Sequence, residues 1–344
     1  MNVIFTGTAS PGIYKVLIGC SRNYILDQAR WKTQTPVIVL QGSFRQYKIK
    51  KLFGRVGNAG LFKDLDKPVD WAEVRPQIRQ IVETALAGER LDEASIETLF
   101  GVRGCDMLYV CQAADALRQA RCGRNVSYVV TRNINYTNVC TYSCTFCAFS
   151  KGRTHEALRG KPYDLDLSEV ARRVSEAWSR GASEVCMQGG ISPDYTGETY
   201  LDILRTVKAA EPEMHVHAFS PLEVTQGAAT LGLPLADYLR RLKEAGLGSL
   251  PGTAAEILHD EVREVLCKGK LSTDEWVEAI EAAHTVGLKT TSTIMYGHID
   301  HPRHWARHLL VLRDKHPLLL KETSSTPLAF LPDSCTPFPH KYIF

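Results

Sequence analysis

From residue 126 onward the chain alternates short strand-like runs, the first of them rich in β-branched residues, with helical segments of ten or more residues. That pattern restricts the fold more than any other feature. Strands are expected over 126–134, 184–188, 215–219, 247–250 and 289–296. Helices are expected over 167–181, 198–210, 234–245, 254–266, 273–286 and 302–315. Strands joined by crossovers of this length must lie parallel, because a tight hairpin joins only antiparallel neighbours. Right-handed crossovers then curl the sheet, so the fold class is α/β, a partial (β/α) TIM-type barrel. In such barrels the chemistry sits on the loops that follow the strand C-termini.

Upstream, apolar residues recur at helical spacing from Asp70, with Trp71, Val74, Ile78, Ile81, Val82 and Leu86 on one face and Gly88 as the stop. Two further helices are expected over 93–100 and 105–120, with Cys111 packed as a small hydrophobe. Residues 1–69 are basic, with Asp27 as the first acidic residue, and show no sustained period. The organisation expected is a poorly structured extension (1–69), a helical segment (70–125), the barrel core (126–316) and a Pro-rich tail (317–344).

The net charge of +3 is too small to call for a nucleic-acid partner. No apolar run reaches the ~18 residues of a membrane span. Ten cysteines without a secretory signal point to a reducing compartment, expected to be the cytoplasm, with organellar import such as a plastid as the alternative.

The loop after the first strand carries Cys140, Cys144 and Cys147 in C-x3-C-x2-C spacing. Three thiolates from one short loop suit a face of a [4Fe–4S] cluster and leave one iron open to a further ligand. Zinc is the alternative, but structural zinc closes with four ligands. No second CxxC follows, and His155 is the nearest spare donor. The other rim loops carry Gln188-Gly189-Gly190, His217 with Ser220, Glu256 and His298. Glycine permits close backbone approach to a ligand, and histidine titrates near neutral pH. Thr253 and Glu256 also fit a helix capping box. Cys186 is expected in the core, Cys267 at the surface, and Arg263 solvated or ion-paired.

The cysteine spacing, with Phe146 before the last cysteine, resembles the signature of radical S-adenosylmethionine (SAM) enzymes. The resemblance implies that Cys140, Cys144 and Cys147 hold the cluster, that Phe146 lies near the SAM adenine, and that Gln188, Gly189 and Gly190 line the SAM site. Ile191 departs from the common pattern, which has Glu there. Longer segments, 131–138, 186–191, 215–221, 245–258 and 291–298, are similar to the tyrosine-using subunit of the FO synthase family, or to the matching half of the fused enzyme. That resemblance covers about residues 70–316.

It implies transfer of the 4-hydroxybenzyl group of L-tyrosine to 5-amino-6-(D-ribitylamino)uracil in deazaflavin (FO, the coenzyme F-420 precursor) biosynthesis, with 2-iminoacetate leaving. It also implies an external electron donor and a partner radical SAM half, fused or separate. His217, Ser220, Glu256 and His298 are the candidates for the SAM or substrate rim, with His217, Glu256 and His298 as catalytic groups. Alternatives are another radical SAM tyrosine lyase or menaquinone-pathway enzyme, or a non-catalytic metal-binding remnant. The match fades after about Lys315. The expectation is a shortened product with five strands, one fewer than the six of a typical radical SAM barrel, and with reduced stability and turnover.

Overall fold

The computed structural model describes residues 69–123, 127–142, 144, 146–147 and 161–314, together with the backbone of two strands near the start of the chain. The rest of the expected extension, up to residue 68, the tail 317–344 and His155 lie outside the described residues.

The two early strands, β1 (Val3–Gly7) and β2 (Tyr14–Ile18), pair antiparallel, and β2 runs parallel to β3 (Ser127–Val129). Three helices follow β2: α1 (Pro76–Leu86), α2 (Glu93–Phe100) and α3 (Gly104–Cys122). Trp71 does not share the face of α1. The helix opens only at Pro76, and the residue before a proline is held out of the α region; Arg75 is accordingly extended at ψ 136°. Trp71 is exposed and packs its ring edge on Tyr109. Cys111 lies on the exposed side of α3 rather than in a core. Val74, Ile78, Val82, Val102 and Tyr109 form the small core of this unit.

The main sheet has five parallel strands in chain order: β4 (Thr131–Ile134), β5 (Glu184–Met187), β6 (His215–Ala218), β7 (Ser249–Leu250) and β8 (Lys289–Thr290). The expected strand over 126–134 is in fact two. Its first part joins β2 and its second joins β5. The crossover helices are α4 (Leu167–Ser179), α5 (Gly197–Ala210), α6 (Pro221–Thr230), α7 (Leu235–Glu244), α8 (Asp260–Leu266) and α9 (Thr273–Thr285). Helix α10 (Pro302–Asp314) ends the described part and packs on α2, where Trp305 meets Phe100 edge to face at 5.1 Å.

The local reasons are ordinary. Helix α4 is capped by Asp166, which accepts from the Glu169 N–H, and it buries Val170, Val174 and Ala177 at helical spacing. Helix α9 starts in a Ser272/Glu275 capping box. Alternate strand residues (Ile134, Val185, Met187, Val216, Ala218 and Leu250) enter the large apolar core beneath the helices. The intervening residues occupy the opposite, inner face. They are polar: Asn133, Glu184, Cys186, His215, His217 and Ser249.

Two expected elements are shorter than the sequence suggests. The strand over 289–296 stops at Thr290, because Thr291 and Thr293 turn their hydroxyls to the backbone of Gly252 instead of leaving the ladder undisturbed. The helix over 254–266 begins only at Asp260. Glu256 is at φ +46°, outside helical space, and its carbonyl accepts from the Met295 N–H. The Thr253 hydroxyl finds no partner among the described residues, so the Thr253–Glu256 capping box does not form.

Candidate functional site

Every rim segment singled out above leaves the same edge of the sheet. The cysteine loop leaves β4, Gln188-Gly189-Gly190 leaves β5, Ser220 follows β6, the 251–259 loop leaves β7 and the 291–300 loop leaves β8. The first two are stitched together: Gly190 N–H donates to the Thr137 carbonyl (3.0 Å), and Thr141 N–H donates to Ile191 (2.9 Å).

The glycines are required by contact rather than by turn geometry. A methyl group on Gly190 would overlap the Val139 carbonyl and lie 2.9 Å from the Cys140 Cβ. On Gly189 it would enter the Tyr136 ring. The glycine segment therefore rests directly on the start of the cysteine loop.

A carboxylate missed in the sequence organises this side. Glu223, on the first turn of α6, is fully enclosed. One oxygen accepts from the Tyr136 hydroxyl and the Gly189 N–H (3.1 Å). The other accepts from the Ser220 N–H and hydroxyl (both 2.6 Å). Burial pushes the Glu223 carboxyl up, and the hydrogen bonds from Ser220, Tyr136 and Gly189 pull against that without cancelling it. Ser220 is thus the N-cap of α6, with its side chain committed to Glu223. The signal was present as Ser220-Pro221-Leu222-Glu223, a capping box with proline at the first helical position. Around it Tyr136 packs on Tyr195, Tyr200 and Phe219.

On the other side Cys144 is buried, 2% exposed, and Cys140 and Cys147 are partly exposed. None of the three is in a disulfide. Cys144 and Cys147 pack with Ile257, Val262, Leu266, Cys267, Ile294 and Met295. Cys267 is therefore buried, not at the surface. Burial raises the Cys144 thiol, and the hydrogen-bonded ammonium of Lys270 opposes it. Glu256 faces the same place. Burial raises its carboxyl, against Lys270, Arg263 and His298.

Arg263 is not solvated, and among the described residues it makes no ion pair. It is 4% exposed and donates to the carbonyls of Ala254 (3.2 Å), Ala255 (2.6 Å) and Leu271 (3.0 Å). A helix that starts late leaves those carbonyls without partners, and the guanidinium supplies the missing donors.

His298 is held in its own turn, its Nε2 2.9 Å from the Met295 carbonyl and its Nδ1 accepting from the Ile299 N–H. Asp300 secures that turn. Burial disfavours its charge, but the N–H groups of His298 and Gly297 and the Trp305 indole hold its pKa down at about 2. His217 is on the inner face, 2.8 Å from the Ser249 hydroxyl, which is also 2.9 Å from His215. Glu256 thus lies near His298 and Lys270, Ser220 serves the glycine side, and His217 lies on the inner face of the sheet. Cys186 is half-buried on the same inner face, opposite His217 in register.

The comparisons with known proteins fit this geometry. The Radical SAM superfamily description matches residues 134–312. FO synthase of Streptomyces avermitilis is 50% identical over 236 residues, which cover 68% of this chain and 27% of that protein. The 5-amino-6-(D-ribitylamino)uracil–L-tyrosine 4-hydroxyphenyl transferase of Methanothermobacter thermautotrophicus is 42% identical over 258 residues, 75% of this chain and 69% of that protein. The chain spans about a quarter of the length of the Streptomyces FO synthases it matches. Among solved structures, methylornithine synthase PylB superposes with a TM-score of 0.54 over 69% of this chain and 65% of that one, at 17% identity. The hydrogenase maturase HydG of Carboxydothermus hydrogenoformans gives 0.54 over 73% and 55%, also at 17%. Those two likenesses concern the fold alone. No helix among the described residues is long and apolar enough to cross a membrane. Through the superfamily match and the methanogen relative together, the chain belongs to the radical SAM superfamily and, within it, to the family of the FO-synthase tyrosine 4-hydroxyphenyl transferases.

Proposed function

We propose that this chain is a radical SAM transferase of deazaflavin biosynthesis, joining the 4-hydroxybenzyl group of L-tyrosine to 5-amino-6-(D-ribitylamino)uracil. The observation that carries the reading is the apposition of Gly190 to the start of the cysteine loop, a contact no larger residue tolerates. It sets a backbone surface beside three cysteines, none of them in a disulfide. Cys140, Cys144 and Cys147 would hold a [4Fe–4S] cluster, and Gln188, Gly189 and Gly190 would line the SAM site with Phe146 near the adenine. When bound, the cluster and SAM supply a 5′-deoxyadenosyl radical able to take hydrogen from tyrosine.

The chain's own residues do the positioning. Glu223 fixes the Gly189 N–H and the Tyr136 ring, and Ser220 acts through Glu223. The polar inner face, with His217, Ser249, Cys186 and Asn133, suits two substrates rich in hydroxyl and amine groups better than an apolar barrel lining would. Glu256 and His298 stand at the mouth, where a proton can be held or moved next to the reacting pair. Holding both reactants in one enclosed space supplies the near-attack geometry that a radical step needs. An external electron donor and a partner radical SAM half, fused or separate, complete the pathway reading, and the site of action is the cytoplasm.

The test is anaerobic reconstitution with iron and sulfide, followed by SAM, L-tyrosine and reductant, with and without the ribitylaminouracil. Deoxyadenosine together with an acceptor-dependent adduct supports the transferase. Tyrosine cleavage indifferent to the acceptor indicates a lyase. Zinc without iron or sulfide indicates a non-catalytic metal-binding chain.

A further inference from the structure

Lys270 belongs to no role assigned so far. It follows α8 across Gly269, which is at φ +80° and turns the chain back, and its N–H donates to the Cys267 carbonyl (3.1 Å). Arg263 pins the next residue by its carbonyl, so the turn is held from both sides. The outcome is an ammonium group directed into the cysteine loop. Its Nζ lies 5.9 Å from the centroid of the Phe146 ring and hydrogen-bonds to the Cys144 sulfur. Cys144 is the most enclosed of the three loop thiols and is walled by Ile257, Val262 and Leu266. An ammonium beside a sulfur in such surroundings is weakly screened, so its field at the sulfur is strong.

The potential of an iron–sulfur cluster is set by its net charge, by hydrogen bonds to its sulfurs and by solvent exposure. We propose that Lys270 is a positioning residue for electron transfer, its fixed positive charge on the Cys144 sulfur raising the reduction potential of the cluster that this loop holds. This rests on the cluster reading given above. The step concerned is the gain of one electron by the cluster, [4Fe–4S]2+ to [4Fe–4S]1+, from dithionite in the assay or from a low-potential one-electron donor in turnover. No bond or proton changes place. The reduced cluster is more negative by one charge, so a neighbouring cation favours it over the oxidised form.

The experiment compares the reconstituted full chain with K270M and K270R. Each is analysed for iron and sulfide and titrated with dithionite while the reduced-cluster signal is followed by electron paramagnetic resonance. The expected result is a tenfold or greater shift of the reduction equilibrium toward the oxidised cluster in K270M, 59 mV downward for one electron, with K270R at the wild-type midpoint. Loss of cluster in K270M that K270R restores overturns the proposal, because the charge then serves cluster assembly rather than the potential. A K270M midpoint equal to wild type overturns it, and so does a K270R variant as defective as K270M, because shape rather than charge is then what matters. A wild-type chain that assembles no iron–sulfur cluster overturns the cluster reading itself, a result distinct from both.

Discussion

The site has two walls built on different principles. The wall over β4, β5 and β6 stands on strands of four residues, a large continuous core and a packed aromatic group. Glu223 within it is fully enclosed and satisfied by four donors. The wall over β7 and β8 stands on strands of two residues. It relies on small separate cores and on charged side chains, Lys270, Glu256 and Arg263, reaching between loops. The first wall is rigid because its backbone leaves no room, and the second is held in place by charges meeting carbonyls, thiols and one another. One side of the site is thus stiffened by packing and the other is held by charge. The cysteine loop is where they meet.

Removing that meeting point has the largest expected effect. Cys140→Ala, Cys144→Ala or Cys147→Ala is expected to abolish SAM-dependent deoxyadenosine formation and to leave less than a full complement of iron and sulfide on analysis. Deoxyadenosine made at wild-type rate by all three variants would end the assignment.

Next comes the stiff wall itself. Gly190→Ala forces a methyl into a backbone carbonyl, which cannot rotate away as a side chain can. Overpacking of this kind costs about 3 kcal/mol. Urea unfolding monitored by circular dichroism should show the midpoint falling. An unchanged midpoint would mean that the two loops are not in contact.

Acid separates the walls by sign. His308, on α10 beneath the second wall, accepts from the Leu258 N–H through Nδ1. Burial, with Arg263 nearby, holds its pKa down at about 4 against 6.5 when unfolded. The unfolded chain therefore binds the extra proton first, and stability falls as pH drops from about 6.5 to about 4, by on the order of 2 kcal/mol. Glu223 works the other way. Its raised carboxyl is protonated more readily folded than unfolded, so its contribution is present at low pH and is lost as pH rises through the folded value. Hydrogen exchange on lowering pH should accelerate around Leu258 before it does around Gly189, and His308→Gln should flatten that response. Uniform acceleration would show that the walls are not independent.

The smallest effect is a single donor. Tyr136→Phe removes one of the four hydrogen bonds to Glu223 and keeps the ring packing, at an expected cost of about 1.5 kcal/mol. A larger loss would make the hydroxyl, rather than the ring, the support of the glycine segment.

Most of the first wall was legible in the sequence, and little of the second. The strands β4 to β6 follow from their alternation with helical segments, the cysteine loop from its spacing, and the glycine pair from its place after a strand. Glu223 and α6 were legible too, since Ser220-Pro221-Leu222-Glu223 is a helix start, but attention to Ser220 as a ligand hid its role as a cap. The second wall escaped because its determinants are not local. Thr253 and Glu256 have the spacing of a capping box, yet a long-range bond from Met295 takes the Glu256 carbonyl and delays the helix to Asp260. Arg263 and Cys267 read as surface residues because their partners lie outside their own helix: Arg263 meets carbonyls of the turns on either side, and Cys267 packs with the cysteine loop. Thr291 to Tyr296 read as strand because β-branched residues favour strands, whereas their hydroxyls find better acceptors in the neighbouring loop.

The guanidinium of Arg263 has a consequence for how substitutions travel. By gripping carbonyls at both ends of the stretch from Ala254 to Leu271, it makes that stretch a closed collar, so the carboxyl at 256 and the ammonium at 270 are carried on one unit. A change that opens the collar displaces both at once, and the local field around the cysteine loop loses its two signs together.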